Sequence, residues 1–283
     1  MNKHIFIKSP MNYPGGKYKI LDQLYQYFPK NINNFIDLFC GGLDVICNID
    51  AITKYANDID SDLINIYKAF QKISYEDLIQ FINKRIQEFQ LTRYNYDGFI
   101  KYRDLYNTDK KYHTALDLFV LSRFAYNNLV EVKNEKFMGG FGFDHSDFNL
   151  NQRANTKALH SKIQQIIFSS MNFLDFNLDM FSSNDFIYVD PPYLISGDMY
   201  NYNWSEEQEY QLYSYLNMAT DKGIKWGVSN LIAHKGQFNE ILIDWSKEYN
   251  VYDIFTNYAN SYNDHKKYAK DFTIEVFITN YKI

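Results

Sequence analysis

The segment FIYVDPPYLI, residues 186–195, places an acid, two prolines and a tyrosine at the end of an apolar run. Proline has no amide proton to give to a sheet ladder, so Pro191 and Pro192 mark the point where a strand ends. Asp190 precedes the two prolines and Tyr193 follows them. The pattern predicts a carboxylate, a stiff turn and an aromatic ring at the carboxyl edge of a buried strand.

A second acidic pattern lies in NNFIDLFCGG, residues 33–42, which predicts a strand and a glycine turn before a helix over LDVICNIDAI. The turn lacks the third glycine of a dinucleotide fingerprint and the Lys-Ser/Thr pair of a P-loop. Asp37 stands just inside the strand end. A carboxylate there would repel a pyrophosphate but accept hydrogen bonds from an amino group, such as that of S-adenosylmethionine. Asp58 ends a second strand 17 residues beyond Gly41, close to the separation of about 20 at which an acid reaches a ribose hydroxyl.

A glycine turn precedes both patterns, in MNYPGGKYKIL at residues 11–21. Tyr13, Pro14 and Gly15 belong to the turn, and Lys17 begins a helix whose apolar positions are Ile20, Leu21 and Leu24. Taken alone, the pattern is equally that of an ordinary N-terminal loop and helix cap.

Helical periodicity dominates the middle of the chain. It begins near residue 62 and continues through ALDLFVLSRFAYNNL and KALHSKIQQIIF, with the glycine-rich loop FMGGFGF between them. Strand patterns return in DFIYVDPPY, IKWGVSN and TIEVFITNY, with a helix capped by Ser205 and Gln208 after the first. We expect an α/β, Rossmann-like core over residues 1–65 and 181–283, with a mostly helical insertion over 66–180.

Composition narrows the function classes. The net charge of −5 argues mildly against a nucleic-acid partner, although a whole-chain average leaves room for a local basic patch. Cys40 and Cys47 suit a reducing cytoplasm better than a disulfide framework, and no histidine cluster joins them, so no metal site is expected. No apolar run approaches the ~20 residues of a membrane span, and the N-terminal residues lack a signal-peptide core. We expect a cytoplasmic protein without a membrane partner.

The order of the motifs resembles that of the N6-adenine DNA methyltransferases of the Dam type. The motifs are YPGGK, DLFCGG, NDIDSDL, an insertion containing RFAYNNL, then DPPY and the terminal TIEVFITNY. The resemblance runs from about residue 11 to the last strand. It implies a methyltransferase core with a target-recognition insertion, S-adenosylmethionine as cofactor, and double-stranded DNA as substrate. It also implies restriction-modification, or phage or host DNA marking, with a cognate restriction endonuclease as an expected partner; the oligomeric state and recognition sequence stay open.

The resemblance also assigns roles to single residues. Within RFAYNNL it assigns DNA contacts to Arg123, Tyr126 and Asn127. Lys17 has two assignments, to the cofactor and to DNA. The implied cofactor contacts are Tyr13, Pro14, Gly15, Lys17, Asp37, Phe39, Gly41, Asp58 and Asp190.

The chemistry of adenine agrees with this assignment. Adenine N6 is a poor nucleophile because its lone pair is delocalised into the ring. Hydrogen bonds from its two amino protons to Asp190 and to the carbonyl of Pro191 would favour a more pyramidal nitrogen, which attacks the methyl sulfonium in line. Pro192 helps to keep the acceptors preorganised, and Tyr193 offers a flat face to the extruded base. These four residues are the predicted catalytic group, and the chemistry requires neither a metal nor a covalent intermediate.

The insertion departs from the GATC-reading relatives at Glu131, where an ungapped alignment gives those proteins an arginine. A carboxylate accepts from cytosine N4 but cannot donate to guanine O6 or N7, so we expect a recognition sequence other than GATC. The alternative is that Glu131 is a solvated charge at a helix end. In NSYNDHKKYAKDF, residues 260–272, Lys266 and Lys267 are candidate phosphate contacts.

Two other functions remain open from the sequence. One is methylation of RNA adenine or of a glutamine amide, because related proline-containing loops can position any planar NH2 group. The other is a catalytically silent, cofactor-sensing DNA-binding protein. An eroded DPPY segment would mark the second alternative, and the segment is intact here.

Overall fold

A computed structural model of the chain describes residues 5–197, 204–255 and 273–283. A central sheet forms the middle layer, and a separate short hairpin, β3–β4, lies in the insertion. The strands of the described residues, in chain order, are β1 (Asn34–Asp37), β2 (Thr53–Asn57), β3 (Val132–Lys133), β4 (Lys136–Phe137), β5 (Ile166–Ser169), β6 (Phe186–Val189), β7 (Lys225–His234), β8 (Gln237–Phe238), β9 (Asn250–Ile254) and β10 (Thr273–Thr279).

The central sheet is mostly parallel, with the order β5-β2-β1-β6-β7-β10-β9 and β8 paired to β7. Strand β10 is antiparallel to both of its neighbours. Strand β1 lies between β2 and β6, with Asp37 opposite Ala56 on one side and Tyr188 on the other. Connections leave β1 in opposite directions, so a crevice opens at the carboxyl ends of these three strands. The predicted α/β core is confirmed.

The central strands β1 and β6 are buried on both faces, which explains their nearly continuous apolar sequence. Phe35, Phe186 and Phe277 point into one apolar cluster, together with the helices of the first half of the chain. Ile36 and Ile187 point into the other cluster, against the helices that follow β6. Alternate side chains of one strand therefore build two separate core layers.

Helices cover both layers. The capping box that the sequence predicts at Ser205 and Gln208 is present, and it starts the helix that covers the second face. The α-helices of the described residues are α1 (Leu21–Tyr25), α2 (Ser61–Gln71), α3 (Tyr75–Glu88), α4 (Tyr96–Thr108), α5 (Ala115–Phe124), α6 (Leu150–Ile163), α7 (Glu206–Asp221) and α8 (Glu240–Ser246). None of them is long and apolar enough to cross a membrane.

The insertion is built around α5, whose side chains are almost all buried. Its Asp117 accepts a hydrogen bond of 2.6 Å from Arg85 of α3, which pairs two buried charges. Strand β5 falls within the predicted insertion range 66–180, yet it is a strand of the central sheet and pairs with β2. The chain therefore returns to the core before residue 181.

Two element predictions are wrong. The segment LDVICNIDAI forms only a short 3-10 turn, Ile46–Asn48, because Leu43 has a positive φ of 66° and Asn48 Nδ2 donates to the carbonyls of Ile7 and Asp44. The helix over KALHSKIQQIIF ends at Ile163, and the following IIF belongs to β5. Two β-branched isoleucines favour a strand where a parallel partner is available.

Candidate active site

A cleft of about 290 Å³ opens at the carboxyl ends of β1, β2 and β6. Three of the segments singled out in the sequence meet there, although they are far apart in the chain: the YPGGK turn, the DLFCGG turn and the DPPY segment. The predicted residues among its lining are Tyr13, Pro14, Gly15, Lys17, Asp37, Phe39, Gly41, Asp58, Asp190, Pro191, Pro192 and Tyr193.

Asp190 follows directly after β6, where the prolines end the ladder. Its Oδ1 accepts from Lys17 Nζ at 2.9 Å and from the hydroxyl of Tyr193 at 3.0 Å. Its Oδ2 makes no hydrogen bond with the residues that the structure describes. Burial raises the pKa of Asp190, and the charge and hydrogen bond of Lys17 oppose that rise. One oxygen is thus fixed by donors while the other remains open to a ligand.

Lys17 is buried, with 5% of its surface exposed. Its Nζ donates to the carbonyl of Gly15 at 2.7 Å and lies 4.9 Å from the ring centroid of Tyr193. Burial lowers the pKa of Lys17, but the carboxylates of Asp190 and Glu275 outweigh it, so that the pKa is raised overall. Its ammonium therefore carries a permanent charge inside the cleft.

Glu275 of β10 was not found by sequence reasoning. Its Oε1 lies 3.2 Å from the Tyr193 hydroxyl and 3.8 Å from Lys17 Nζ. Burial raises its pKa, and Lys17 opposes that rise. One signal was available, because a charged residue interrupts the apolar run of TIEVFIT. We refer to Lys17, Asp190, Tyr193 and Glu275 as the Lys17 cluster.

Asp37 is the second open carboxylate of the cleft. It is the last residue of β1, its side chain is buried, and its Oδ1 has no hydrogen-bond partner among the described residues. Burial raises its pKa well above the usual value, and the charges of Asp190 and Asp58 add to the rise. A buried carboxylate oxygen without a donor is costly, which indicates a cationic or hydrogen-donating ligand.

The DLFCGG turn is held by Asp58, which follows β2 as predicted. Asp58 Oδ2 accepts from the amide of Gly41 at 2.9 Å, and Oδ1 accepts from the amide of Asp60 at 3.0 Å. Tyr67 of α2 stabilises the turn, because its hydroxyl donates to the carbonyl of Gly41 at 2.7 Å. Gly41 has a φ of +40°, and a Cβ there would lie 2.7 Å from Cδ1 of Tyr13. Only glycine allows this turn and the Tyr13 ring to pack together.

An aromatic wall forms another side of the cleft, and only one of its members was predicted. The ring centroid of Phe39 lies 5.5 Å from that of Phe173 and 5.8 Å from that of Trp204. Trp204 is held by Glu209, whose Oε2 accepts from its indole Nε1 at 2.6 Å. Phe173 and Trp204 were missed because isolated aromatics in a chain with 18% aromatic residues carry little information.

Comparison with known proteins identifies the family of the chain. The model of the D12 class N6 adenine-specific DNA methyltransferase family matches residues 13–269. The chain belongs to that family. It is 38% identical over 288 residues to modification methylase StsI of Streptococcus sanguinis and 36% identical over 287 residues to type II methyltransferase M.FokI of Planomicrobium okeanokoites. It is 24% identical to the DNA adenine methylase of Salmonella typhi over 65% of this chain and 64% of that protein.

The first two alignments cover 98% of this chain but only 43% of each relative. This D12 class chain therefore spans less than half the length of those proteins. The resemblance to Dam-type adenine methyltransferases drawn from the motif order is confirmed.

In the insertion of this D12 class chain, Arg123 lies where the prediction did not place it. Its side chain is fully buried, and its guanidinium donates to the backbone carbonyls of Pro10 and Asn128. Arg123 thus ties the N-terminal segment to the loop after α5 and presents no surface to DNA. The prediction of a DNA contact there is corrected to a structural role, because two backbone carbonyls take up its donors.

The neighbouring predicted residues are accessible. Tyr126 is 61% exposed, and Asn127 is exposed with a φ of 55°. The carbonyl of Asn127 accepts from Asn12 Nδ2 at 2.6 Å, which places this loop beside the YPGGK turn. Glu131 is half-buried at the base of the β3–β4 hairpin, where its carbonyl accepts from the amide of Met138 at 2.7 Å.

Lys266 and Lys267 lie outside the described residues. Within the described part of the chain, no group of three or more His, Cys, Asp or Glu side chains is arranged to hold a metal ion.

Proposed function

We propose that this chain transfers a methyl group from S-adenosylmethionine to N6 of an adenine extruded from double-stranded DNA. One observation carries the proposal: Asp37 and Asp190, at the ends of neighbouring strands, line one cleft, and each has a carboxylate oxygen without a hydrogen-bond partner among the described residues. The two substrates each bring an amino group that such an oxygen accepts.

The cofactor half of the cleft is the DLFCGG turn. Asp37 Oδ1, buried and without a donor among the described residues, fits the α-ammonium group of S-adenosylmethionine. Asp58 fits the ribose hydroxyls, since a carboxylate offers about four lone-pair sites and two are used by the amides of Gly41 and Asp60. Phe39 and the Tyr13 ring enclose the remaining apolar part. When bound, the cofactor supplies an electrophilic methyl group on a sulfonium.

The base half of the cleft is the DPPY segment. Asp190 Oδ2 accepts a hydrogen bond from one N6 proton of adenine and the carbonyl of Pro191 accepts a hydrogen bond from the other, which localises the lone pair on nitrogen. Burial raises the pKa of Asp190, and the charge of Lys17 opposes that rise, which favours the ionised carboxylate. The aromatic ring of Tyr193, which lies in the cleft lining beside Lys17, stacks on the base. Asp190 Oδ2 then holds the proton that N6 releases until it passes to solvent.

The DNA-facing surface of this proposal is the loop after α5 with the β3–β4 hairpin. Tyr126 and Asn127 are exposed beside the YPGGK turn, and Lys133 and Lys136 are exposed on the hairpin. Glu131 would contact a cytosine from the base of that hairpin. Lys266 and Lys267 remain proposed phosphate contacts on sequence grounds.

Restriction-modification is the proposed biological setting, because the relatives StsI and M.FokI are named as a modification methylase and a type II methyltransferase. A cognate endonuclease is part of this proposal. Long-read sequencing of host DNA with and without the gene would report both the methylated atom and the site.

A substrate panel tests the proposal against methylation of RNA adenine or a glutamine amide. The protein is incubated with S-adenosylmethionine carrying a labelled methyl group and with duplex DNA, RNA or a glutamine-containing peptide. We expect label in duplex DNA alone. Preferential labelling of RNA or peptide would overturn the choice of substrate, and binding of DNA without labelling of any substrate would favour a catalytically silent protein.

A further inference from the structure

Glu275 has no role in the methyl-transfer chemistry described so far, although it belongs to the Lys17 cluster. We propose that Glu275 is a positioning residue that holds Asp190 in its reactive orientation, acting through Lys17 and Tyr193. This proposal rests on the proposed function.

The two carboxylates share the same donors. The hydroxyl of Tyr193 lies 3.0 Å from Asp190 Oδ1 and 3.2 Å from Glu275 Oε1, so its single proton is shared between the two carboxylates. Lys17 Nζ lies 2.9 Å from the first oxygen and 3.8 Å from the second. The ammonium donates to the carbonyl of Gly15 at 2.7 Å and pairs directly with Asp190, and at 3.8 Å it attracts Glu275 as a longer ion pair. Glu275 therefore anchors the groups that anchor Asp190.

The location of Glu275 is costly for a residue without a function. It lies between Ile274 and Val276 on a strand whose other members are apolar or threonine, and 9% of its surface is exposed. Burying a carboxylate costs free energy unless charged or hydrogen-bonding partners offset it. An apolar residue would satisfy the strand without that cost.

A break in the sheet register directs this side chain. The pairing of β10 with β7 shifts between Ile274 and Glu275, where a β-bulge or similar irregularity occurs. Bulges re-aim side chains and are frequent beside active sites. The register shift and the buried charge of Glu275 therefore both indicate that its carboxylate has a role at the active site.

The role predicted for Glu275 follows from the use of the two Asp190 oxygens. Tyr193 and Lys17 both engage Oδ1, which leaves Oδ2 for the adenine amino group. Without Glu275, Tyr193 and Lys17 lose their second anchor, and Asp190 loses a fixed orientation. Reactive groups must be held within about 0.5 Å of the productive geometry, so the rate of the chemical step should fall. Glu275 does not line the cleft, so cofactor affinity should be retained.

The test compares wild type, Glu275→Ala and Glu275→Gln by the single-turnover rate of methyl transfer at saturating DNA and S-adenosylmethionine. The matched control is Asp253→Asn, which removes one negative charge from an exposed position on β9, opposite Val276. We expect Glu275→Ala to lower the rate at least about tenfold, as for a lost coupled contact. Glu275→Gln should lose less, because its amide oxygen still accepts from Tyr193. Calorimetric cofactor affinity should change less than about twofold, and Asp253→Asn should match wild type throughout.

A double-mutant cycle with Tyr193→Phe separates positioning from a general structural effect. If Glu275 acts partly through the Tyr193 hydroxyl, Glu275→Ala should cost a smaller factor in the Tyr193→Phe background than in wild type. The proposal is overturned by wild-type rates in Glu275→Ala, by the same fold-loss in both backgrounds, or by a loss of cofactor affinity that accounts for the lower rate. A wild-type protein that binds cofactor but methylates no DNA adenine would overturn the proposed function itself, and this proposal with it.

Discussion

Lys17 Nζ lies 2.9 Å from Oδ1 of Asp190, so the first glycine turn and the DPPY segment meet in a buried ion pair. The pair joins residues that are 173 positions apart in the chain, and it leaves the second oxygen of Asp190 open within the described residues. A carboxylate that a neighbouring ammonium fixes on one side, and that is open on the other, is suited to accept a hydrogen bond from an amino group. This arrangement makes Asp190 the centre of the proposed chemistry.

Asp190→Asn should abolish most of the turnover. The amide keeps the size of the side chain but removes the charge, and its NH2 group cannot accept from adenine N6. We expect the rate at saturating substrates to fall at least ~100-fold, the scale of a missing preorganised electrostatic contact. Single-turnover kinetics would measure this loss of rate. Asp185→Asn is unsuitable as a control, because Asp185 accepts hydrogen bonds from the backbone amide and side chain of Asn34. The exposed Asp253→Asn is the better control, and a rate near that of wild type in Asp190→Asn would contradict the assigned role.

Asp37→Asn should separate cofactor binding from stability. Losing a charge-assisted hydrogen bond of ~1.5–3 kcal/mol should weaken S-adenosylmethionine binding about 10- to 100-fold. The free energy of unfolding should stay the same or rise, because a neutral amide costs less to bury than a carboxylate. Calorimetry and thermal unfolding measure the two effects. Unchanged cofactor affinity would remove Asp37 from the cofactor site.

The raised pKa of Asp37 predicts that the free energy of unfolding depends on pH. The folded-state pKa of Asp37 is raised, while its unfolded value is about 3.9. Protons are therefore bound more tightly in the folded state, and wild type loses stability from this group as the pH rises above ~4 toward the folded pKa. The stability advantage of Asp37→Asn over wild type should grow across that window. Urea unfolding at a series of pH values tests this, and a difference that is constant with pH would show that Asp37 has no raised pKa.

Tyr193→Phe should retain substantial activity. Stacking on the extruded base needs the ring, which phenylalanine keeps, whereas the hydroxyl supplies one of the two donors to Asp190 Oδ1. Loss of that hydrogen bond should cost ~0.5–1.5 kcal/mol, or about 2- to 10-fold in rate. Tyr193→Ala, measured beside it, should lose far more. Near-total loss of activity in Tyr193→Phe would contradict the stacking role.

Glu131→Arg should change base preference. Replacing an acceptor by a bidentate donor is worth ~1–3 kcal/mol at the base pair that Glu131 contacts, favouring guanine over cytosine. Methylation profiles across a randomised duplex pool would measure the preference of both proteins. Lys266→Ala is the contrasting variant, because loss of a phosphate contact should weaken all sequences alike and reduce the salt dependence. An identical profile for Glu131→Arg and wild type would show that Glu131 is a surface charge.

Local sequence patterns predicted the positions of several site residues, but they did not predict which of those residues contact one another. A proline pair can only follow a strand end, so Asp190 could be placed at the sheet edge from sequence alone, and Asp58 followed from its distance to the glycine turn. The ion pair of Lys17, the part played by Glu275 and the aromatic wall with Trp204 depend on which strands become neighbours. That order is set by packing across the whole domain.

Arg123 was predicted to contact DNA at the surface, but its side chain is buried. An arginine in a recognition insertion is expected on the surface, yet here a nearly all-buried helix carries it inward to two backbone carbonyls. The segment LDVICNIDAI failed as a helix for a related reason, since side chain to backbone hydrogen bonds compete with helical ones. Such choices depend on tertiary contacts that periodicity does not encode.

Identifying the methylated atom tests the proposed methyl transfer to adenine N6 most directly. Duplex DNA is incubated with S-adenosylmethionine and either wild type or Asp190→Asn, then digested to nucleosides and analysed by mass spectrometry. We expect N6-methyladenine as the product of wild type, reduced at least ~100-fold in the variant. Methylcytosine as the product, or N6-methyladenine formed equally well by Asp190→Asn, would contradict it.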